Sequence, residues 1–314
     1  MNETDDHQTG EGESENVSNN NKSDIQKRFD DKQDSNESRA ELKEAITTAY
    51  HARRQGKDPD SAIEISFAEE MPERVENILG ISGVADRIHE LESDYTREEV
   101  ALKFAKDIAE GQIGNYDDKT AKIEGAVRTA VALLTEGIAA APVEGIERVE
   151  ILKNDDGTEF VNVYYAEPIR LANSAAKALS VLVADYTRSL LGLAEYKAHQ
   201  DEIERYVEEI SLYDSENSLQ FSPGDTVNRF IATNMPIMLD GEANSDEEIS
   251  EYRDLDRVDT NTVRIGMCLV AAEGIALKAP KIQRYARQLD EVEWPWLETL
   301  LSGTIGKNSD GTMS

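Results

Sequence analysis

Two acidic residues two positions apart, Asp254 and Asp256, are the nearest approach in this sequence to a nucleotidyl-transfer site, because paired carboxylates can share the magnesium ion that aligns a primer hydroxyl with a triphosphate. Arg253 and Arg257 flank them, and one residue in five of the chain is acidic, so the pair reads as a surface ion-pair loop. Asp240-Gly241-Glu242 reads as a turn. Asn154-Asp155-Asp156-Gly157 lacks the alternating oxygen ligands and distal glutamate of a calcium loop. Neither glycine-rich phosphate motif, no G-x-S-x-G and no H-E-x-x-H occurs. Cys268, the only cysteine, sits in Met267-Cys268-Leu269-Val270 and reads as a small buried apolar residue, which leaves no intrachain disulfide and no thiolate zinc site. His7, His51, His89 and His199 show no ligand spacing, so no metal site is expected from them.

Cations are scarce, and their clusters are correspondingly informative. Lys278, Lys281, Arg284 and Arg287 recur every three residues around a helix expected to start at Pro280, opposite Ile282, Tyr285 and Leu289. That face suits phosphate contact, and it equally suits a solvated helix end whose cations complement the helix dipole. Arg170 and Lys177 flank the entry to another expected helix, where converging backbone N–H groups could receive an anion. With Arg264, these residues form the candidate DNA-contact set: Arg170, Lys177, Arg264, Lys278, Lys281 and Arg284.

The elements that must position them follow from capping signals and periodicity. Residues 1–36 are almost free of apolar side chains and read as a disordered acidic tail. Ser38-x-x-Glu41 opens a helix through Leu42, Ala45, Ile46 and Ala49. Pro72 starts a short helix ending near Gly80, Val84, Ile88 and Leu91 mark another, and Thr96-x-x-Glu99 caps a third that runs to Gly111. Asp117 or Asp118 caps a longer helix that stops before Pro142.

The period then falls to two, and residues 146–153 and 159–166 read as a hairpin turning at Asp156-Gly157. Helices are expected over 172–193, 201–210 and 225–233, a short buried strand over 237–239 and a polar loop over 244–248. The outline is α+β, helix-rich with a central β-hairpin, and it lacks the βα alternation of a parallel sheet. The expected division is a tail (1–36), a helical domain (37–142), an α+β domain (143–306) and a polar tail (307–314) that reads as a chain end or a truncated frame.

Sixty-four Asp plus Glu against 33 Lys plus Arg give 314 residues a formal charge of -31, and the first 40 residues carry only a small part of it. A generally cationic nucleic-acid binder is excluded. Self-repulsion on this scale favours strong screening, since the Debye length is about 3 Å at 1 M salt, so the cytoplasm of a salt-loving microbe is the expected compartment. No secretory signal and no apolar stretch long enough for a bilayer is present, and no membrane partner is expected.

Four blocks are more specific than their periodicity: Ala126 to Gly137, VYYAEPIRLANSAAKALSVLVADYTR from Val163, IERYVEEISLYD from Ile203, and YRDLDRVDTNTVRIGMCLVAAEGIALKAPK from Tyr252. In that order, over about residues 38–306, they resemble the N-terminal quarter of the large subunit of archaeal family D DNA polymerase (DNA polymerase II). The resemblance implies DNA replication, DNA and the polymerase small subunit or the remainder of the large subunit as partners, and magnesium as a cofactor of the complete polymerase. The family's catalytic aspartates lie beyond the matched region, so no catalytic or metal-binding residue transfers to this chain, no cofactor is expected in it, and alone it is expected to be inactive.

Where the family typically reads Y-Y-A-G-P-I-R-S-A-G-G-T-A-Q, this chain carries Glu167, Leu171, Asn173, Ser174 and Lys177 at the glycine, serine, paired-glycine and glutamine positions. Ile265 replaces a glycine of R-G-G, and Glu251 one of S-G-Y-R-D. Side chains at these turns should close off a ligand's approach to the backbone. Two readings follow: the N-terminal portion of a polymerase large subunit, a scaffold with DNA contact, and a stand-alone diverged paralogue acting as a non-catalytic protein-interaction module.

Overall fold

The computed structural model describes residues 70–243 and 248–305, together with Thr47, Thr48, Tyr50, His51, Arg54 and Ala68. The five described positions between 47 and 54 are helical, whereas the acidic tail, the Ser38 capping box, residues 244–247 of the polar loop and the tail 307–314 lie outside the described residues.

The described residues from Ala68 onward pack as one compact unit. It opens with α1 (Met71–Leu79), which has Pro72 in its first turn and ends at Gly80 with φ of 66°, the left-handed conformation that glycine adopts without strain. α2 (Val84–Leu91) turns Val84, Ile88 and Leu91 inward. α3 (Arg97–Glu110) starts at the expected reciprocal cap: Thr96 accepts from the Glu99 N–H while the Glu99 carboxylate accepts from Thr96 N. α4 (Lys119–Leu134) is capped by Asp118, whose Oδ1 accepts from Ala121 N at 2.8 Å. A single turn, α5 (Ala141–Glu144), leads into the sheet.

β1 (Ile146–Lys153) and β2 (Glu159–Tyr165) form the expected antiparallel hairpin, turning at Gly157 with φ of 80°. β3 (Met238–Gly241) lies beside β2 in parallel, Asn162 opposite Met238 and Tyr165 opposite Gly241, so the order is β1-β2-β3. Alternation in the sequence did not announce this parallel pair, because its crossover spends three helices between the strands. They are α6 (Ser174–Leu190), α7 (Gln200–Asn217) and α8 (Asp225–Asn234), the first entered through a 3-10 turn at Glu167–Leu171.

α6 is the axis of the unit. Its buried residues run unbroken from Ala176 to Arg188, and it packs against α3, α4 and the segment after β3. That segment starts as α9 (Ile265–Leu269), widens into a π-helix over Val270–Ala276 and continues as α10 (Leu277–Ala286), with a break at Lys278, just before Pro280. α11 (Trp296–Ser302) closes the chain's described part. One hydrophobic core joins Phe104 of α3 and Val127 of α4 to Val163 of β2, Leu182 of α6 and Met267 of α9, so packing is continuous across the expected 142/143 division. No helix among the described residues is long and apolar enough to cross a membrane.

Candidate nucleic-acid interface

The six candidate cations separate into two groups by burial. Lys177, in the first turn of α6, is 3% exposed, and its Nζ stands 2.6 Å from Glu273 Oε2 in the π-helix. Glu273 Oε1 also accepts from Gln220 N at 3.0 Å. Burial alone would raise the Glu273 pKa, but the Lys177 ammonium and the Gln220 N–H outweigh it and hold the carboxyl below its ordinary range. The anion expected near Arg170 and Lys177 is therefore the chain's own carboxylate. The adjacent helix N-terminus is also filled, because Asn173 Oδ1 accepts from Ala176 N at 2.9 Å while its Nδ2 donates to Leu134 O at 2.9 Å. Asn173 thus does what a glycine could not: it consumes an N–H that an incoming anion would use.

Arg264, an expected DNA contact, is at 0% exposure in the structure. Its Nη1 donates to Asp240 Oδ1 at 2.9 Å and its Nε to both oxygens of Glu209 at 3.0 Å, and Arg205, equally buried, donates to the same Glu209. Asn162 Nδ2 holds the other Asp240 oxygen at 3.0 Å. Burial works against charge on Arg264, yet the two carboxylates more than offset it and keep the guanidinium protonated. Lys177 and Arg264 therefore act as internal struts without reach to a phosphate. Asp240 and Gly241 correct another expectation: the predicted turn is a buried strand end, recruited by Arg264.

Arg170, Lys278, Lys281 and Arg284 lie at least partly at the surface. Arg170 donates to Glu167 and to the Tyr213 hydroxyl, each at 2.7 Å. Lys281 is ion-paired with Glu98 of α3, and Arg284 lies 5.5 Å from the ring centre of its neighbour Tyr285. Beside this face, Tyr95, Lys103 and Lys106 line a hollow with Tyr186 and Leu289, Lys103 lying 3.9 Å from the centre of the Tyr95 ring. Spacing from α10 alone did not reveal these α3 residues, although Lys103 and Lys106 share the three-residue repeat read farther along.

The Asp254–Asp256 segment is an exposed loop, as expected, but its flanking arginines pair elsewhere: Arg253 with Glu248, and Arg257 in a two-pronged bond to Glu202 at 2.6 and 2.5 Å. Arg257 also lies 5.3 Å from both the Phe160 and Tyr196 ring centres. Asp254 instead closes its own loop through Asn261. Cys268 is fully buried, and burial pushes its thiol pKa well up, away from nucleophilic use.

The family described as DNA polymerase II large subunit DP2, N-terminal, matches residues 34–303. The DNA polymerase II large subunit of Haloarcula marismortui is 63% identical over 268 residues, spanning 85% of this chain and 19% of the relative. Those of Natronomonas pharaonis and Methanococcoides burtonii are 60% and 50% identical, over 90% and 83% of this chain and 24% and 23% of their own length. The chain thus spans less than a quarter of these relatives. A match over nearly all the folded residues, at identities this high, means that the chain belongs to the family of DNA polymerase II large-subunit N-terminal regions.

Proposed function

We propose that this region is a non-catalytic scaffold of DNA polymerase II that contacts DNA through Arg170, Lys278, Lys281 and Arg284, with the remainder of a large subunit and a small subunit supplying the chemistry. The observation that carries it is the engagement of the buried acids. Asp107, Asp185, Glu202, Glu209, Asp240 and Glu273, the buried carboxylates among the described residues, are each ion-paired with an arginine or lysine. Two-metal nucleotide addition needs carboxylates free to ligate magnesium, and these are already engaged by cations of the chain. With a chain charge of -31, DNA contact falls to local patches of cation: Lys103 and Lys106 of α3 share one hollow, and Lys281 of α10 meets α3 at Glu98.

The test is a primer-template assay with the purified chain. Binding that weakens steeply with salt, with no extension in magnesium and nucleotides, is the expected result; incorporation by the isolated chain overturns the scaffold assignment.

A further inference from the structure

Outside the cation face, ligand atoms converge where α1 meets α2. We infer that Glu70, Glu73 and His89 form a surface site for a divalent transition-metal ion, with zinc as the best match. Glu70 immediately precedes α1, Glu73 lies in its first turn and His89 in the last turn of α2. His89 Nε2 stands 3.6 Å from Glu73 Oε1 and 4.0 Å from Glu70 Oε2, and one ligand atom from each of the three residues lies within 4.8 Å of the others. The two Nε2 contacts are too long for hydrogen bonds. They lie close to the roughly 3.4 Å that separates two ligands on a tetrahedral ion with bonds of about 2.0–2.1 Å. All three side chains are solvent-accessible and free to adjust around an ion.

Three further features point the same way. His89 Nδ1 lies 3.2 Å from Glu92 Oε1, a contact that turns Nε2 toward the two glutamates; metal-binding imidazoles are held by a carboxylate at the other ring nitrogen in this way. Glu73 Oε2 is buried and has no hydrogen-bond partner. Glu70 occupies the N-cap position of α1, yet its side chain makes no capping bond. Glu73 therefore retains an acceptor that the described residues do not use. One imidazole with two carboxylates suits zinc or a neighbouring first-row ion better than magnesium, which prefers oxygen ligands alone. His89 is 40% exposed on its side chain, leaving a path for entry and a fourth position for water. Histidine spacing along the sequence could not show this, because each ligand set comes from a different helix and only one histidine is needed.

The experiment is calorimetric titration of the tag-free full chain with zinc chloride at pH 8. One equivalent should bind saturably. His89→Ala and Glu73→Gln should each weaken it at least tenfold, and Glu92→Gln by about 10- to 100-fold with stoichiometry kept, with circular dichroism unchanged in all three. Cobalt should give the intense visible absorption of a tetrahedral site in the wild type and lose it in His89→Ala. Absence of saturable binding, or equal zinc affinity in a folded His89→Ala or His89→Gln protein, overturns the site.

Discussion

Lys177 Nζ and Glu273 Oε2 stand 2.6 Å apart in the interior, joining the first turn of α6 to a π-helix 96 residues later in the chain. The contact is tight in backbone as well as charge: a Cβ added at Gly274 would lie 3.0 Å from Lys177 Cβ and 3.1 Å from Ala178 N. The residue that sequence offered as an anion binder is thus one half of an internal clamp.

Breaking that clamp from one side strands a buried charge. Lys177→Met should destabilise the chain by about 3–5 kcal/mol, whereas Lys177→Met combined with Glu273→Leu should recover much of the loss, because neither charge is then left unpaired. Urea unfolding at constant m-value measures both. A single variant within error of wild type would mean that Glu273 finds another partner.

Gly266 is demanded by space and Gly80 by conformation, and alanine should separate them. At Gly266, in α9, a Cβ would lie 2.1 Å from Tyr165 O, so Gly266→Ala must push β2 and α9 apart and should cost at least about 1–3 kcal/mol. Gly80 has open space but φ of 66°, and Gly80→Ala should cost about 1 kcal/mol, the smaller penalty of a left-handed alanine. Equal shifts in thermal midpoint would contradict the close approach of α9 to Tyr165.

Acid should unfold the chain partly through Glu208. Burial alone would raise its pKa, but the Ser250 hydroxyl and the N–H groups of Ser250, Glu251 and Tyr252 all donate to its carboxylate and lower it below 4.5. A depressed carboxyl stabilises fully above its unfolded value and loses that contribution as pH falls through the folded one. Glu208→Gln should therefore lower stability at pH 7 and flatten the decline below pH about 4.5. Parallel stability curves for variant and wild type would show that this cap is not a source of acid sensitivity.

Local devices were legible in sequence, and partners distant along the chain were not. The Thr96–Glu99 box, Pro72 with Gly80, the Asp118 cap and the Gly157 turn each lie within a few residues, so their chemistry identifies them. Lys177, Arg264 and Asp240 carry no local sign that their partners stand 96, 55 and 24 residues away, and a lone charge in an amphipathic pattern reads as surface. One hint was available: Arg205 and Glu209 are four apart beside Tyr206 and Ile210, which puts an ion pair next to the buried stripe. The π-helix and the parallel β3 depend on packing against α6 and β2, which no periodicity records.

The most direct test of the division between internal struts and surface contacts is the salt dependence of primer-template affinity, measured by fluorescence anisotropy for wild type and for Arg170→Ala/Lys281→Ala/Arg284→Ala. Each lost phosphate contact removes about 0.7–0.9 from the slope of log affinity against log salt, so the triple variant should bind more weakly with a slope shallower by up to about 2–3. An unchanged slope and affinity in the folded variant would contradict DNA contact through these residues.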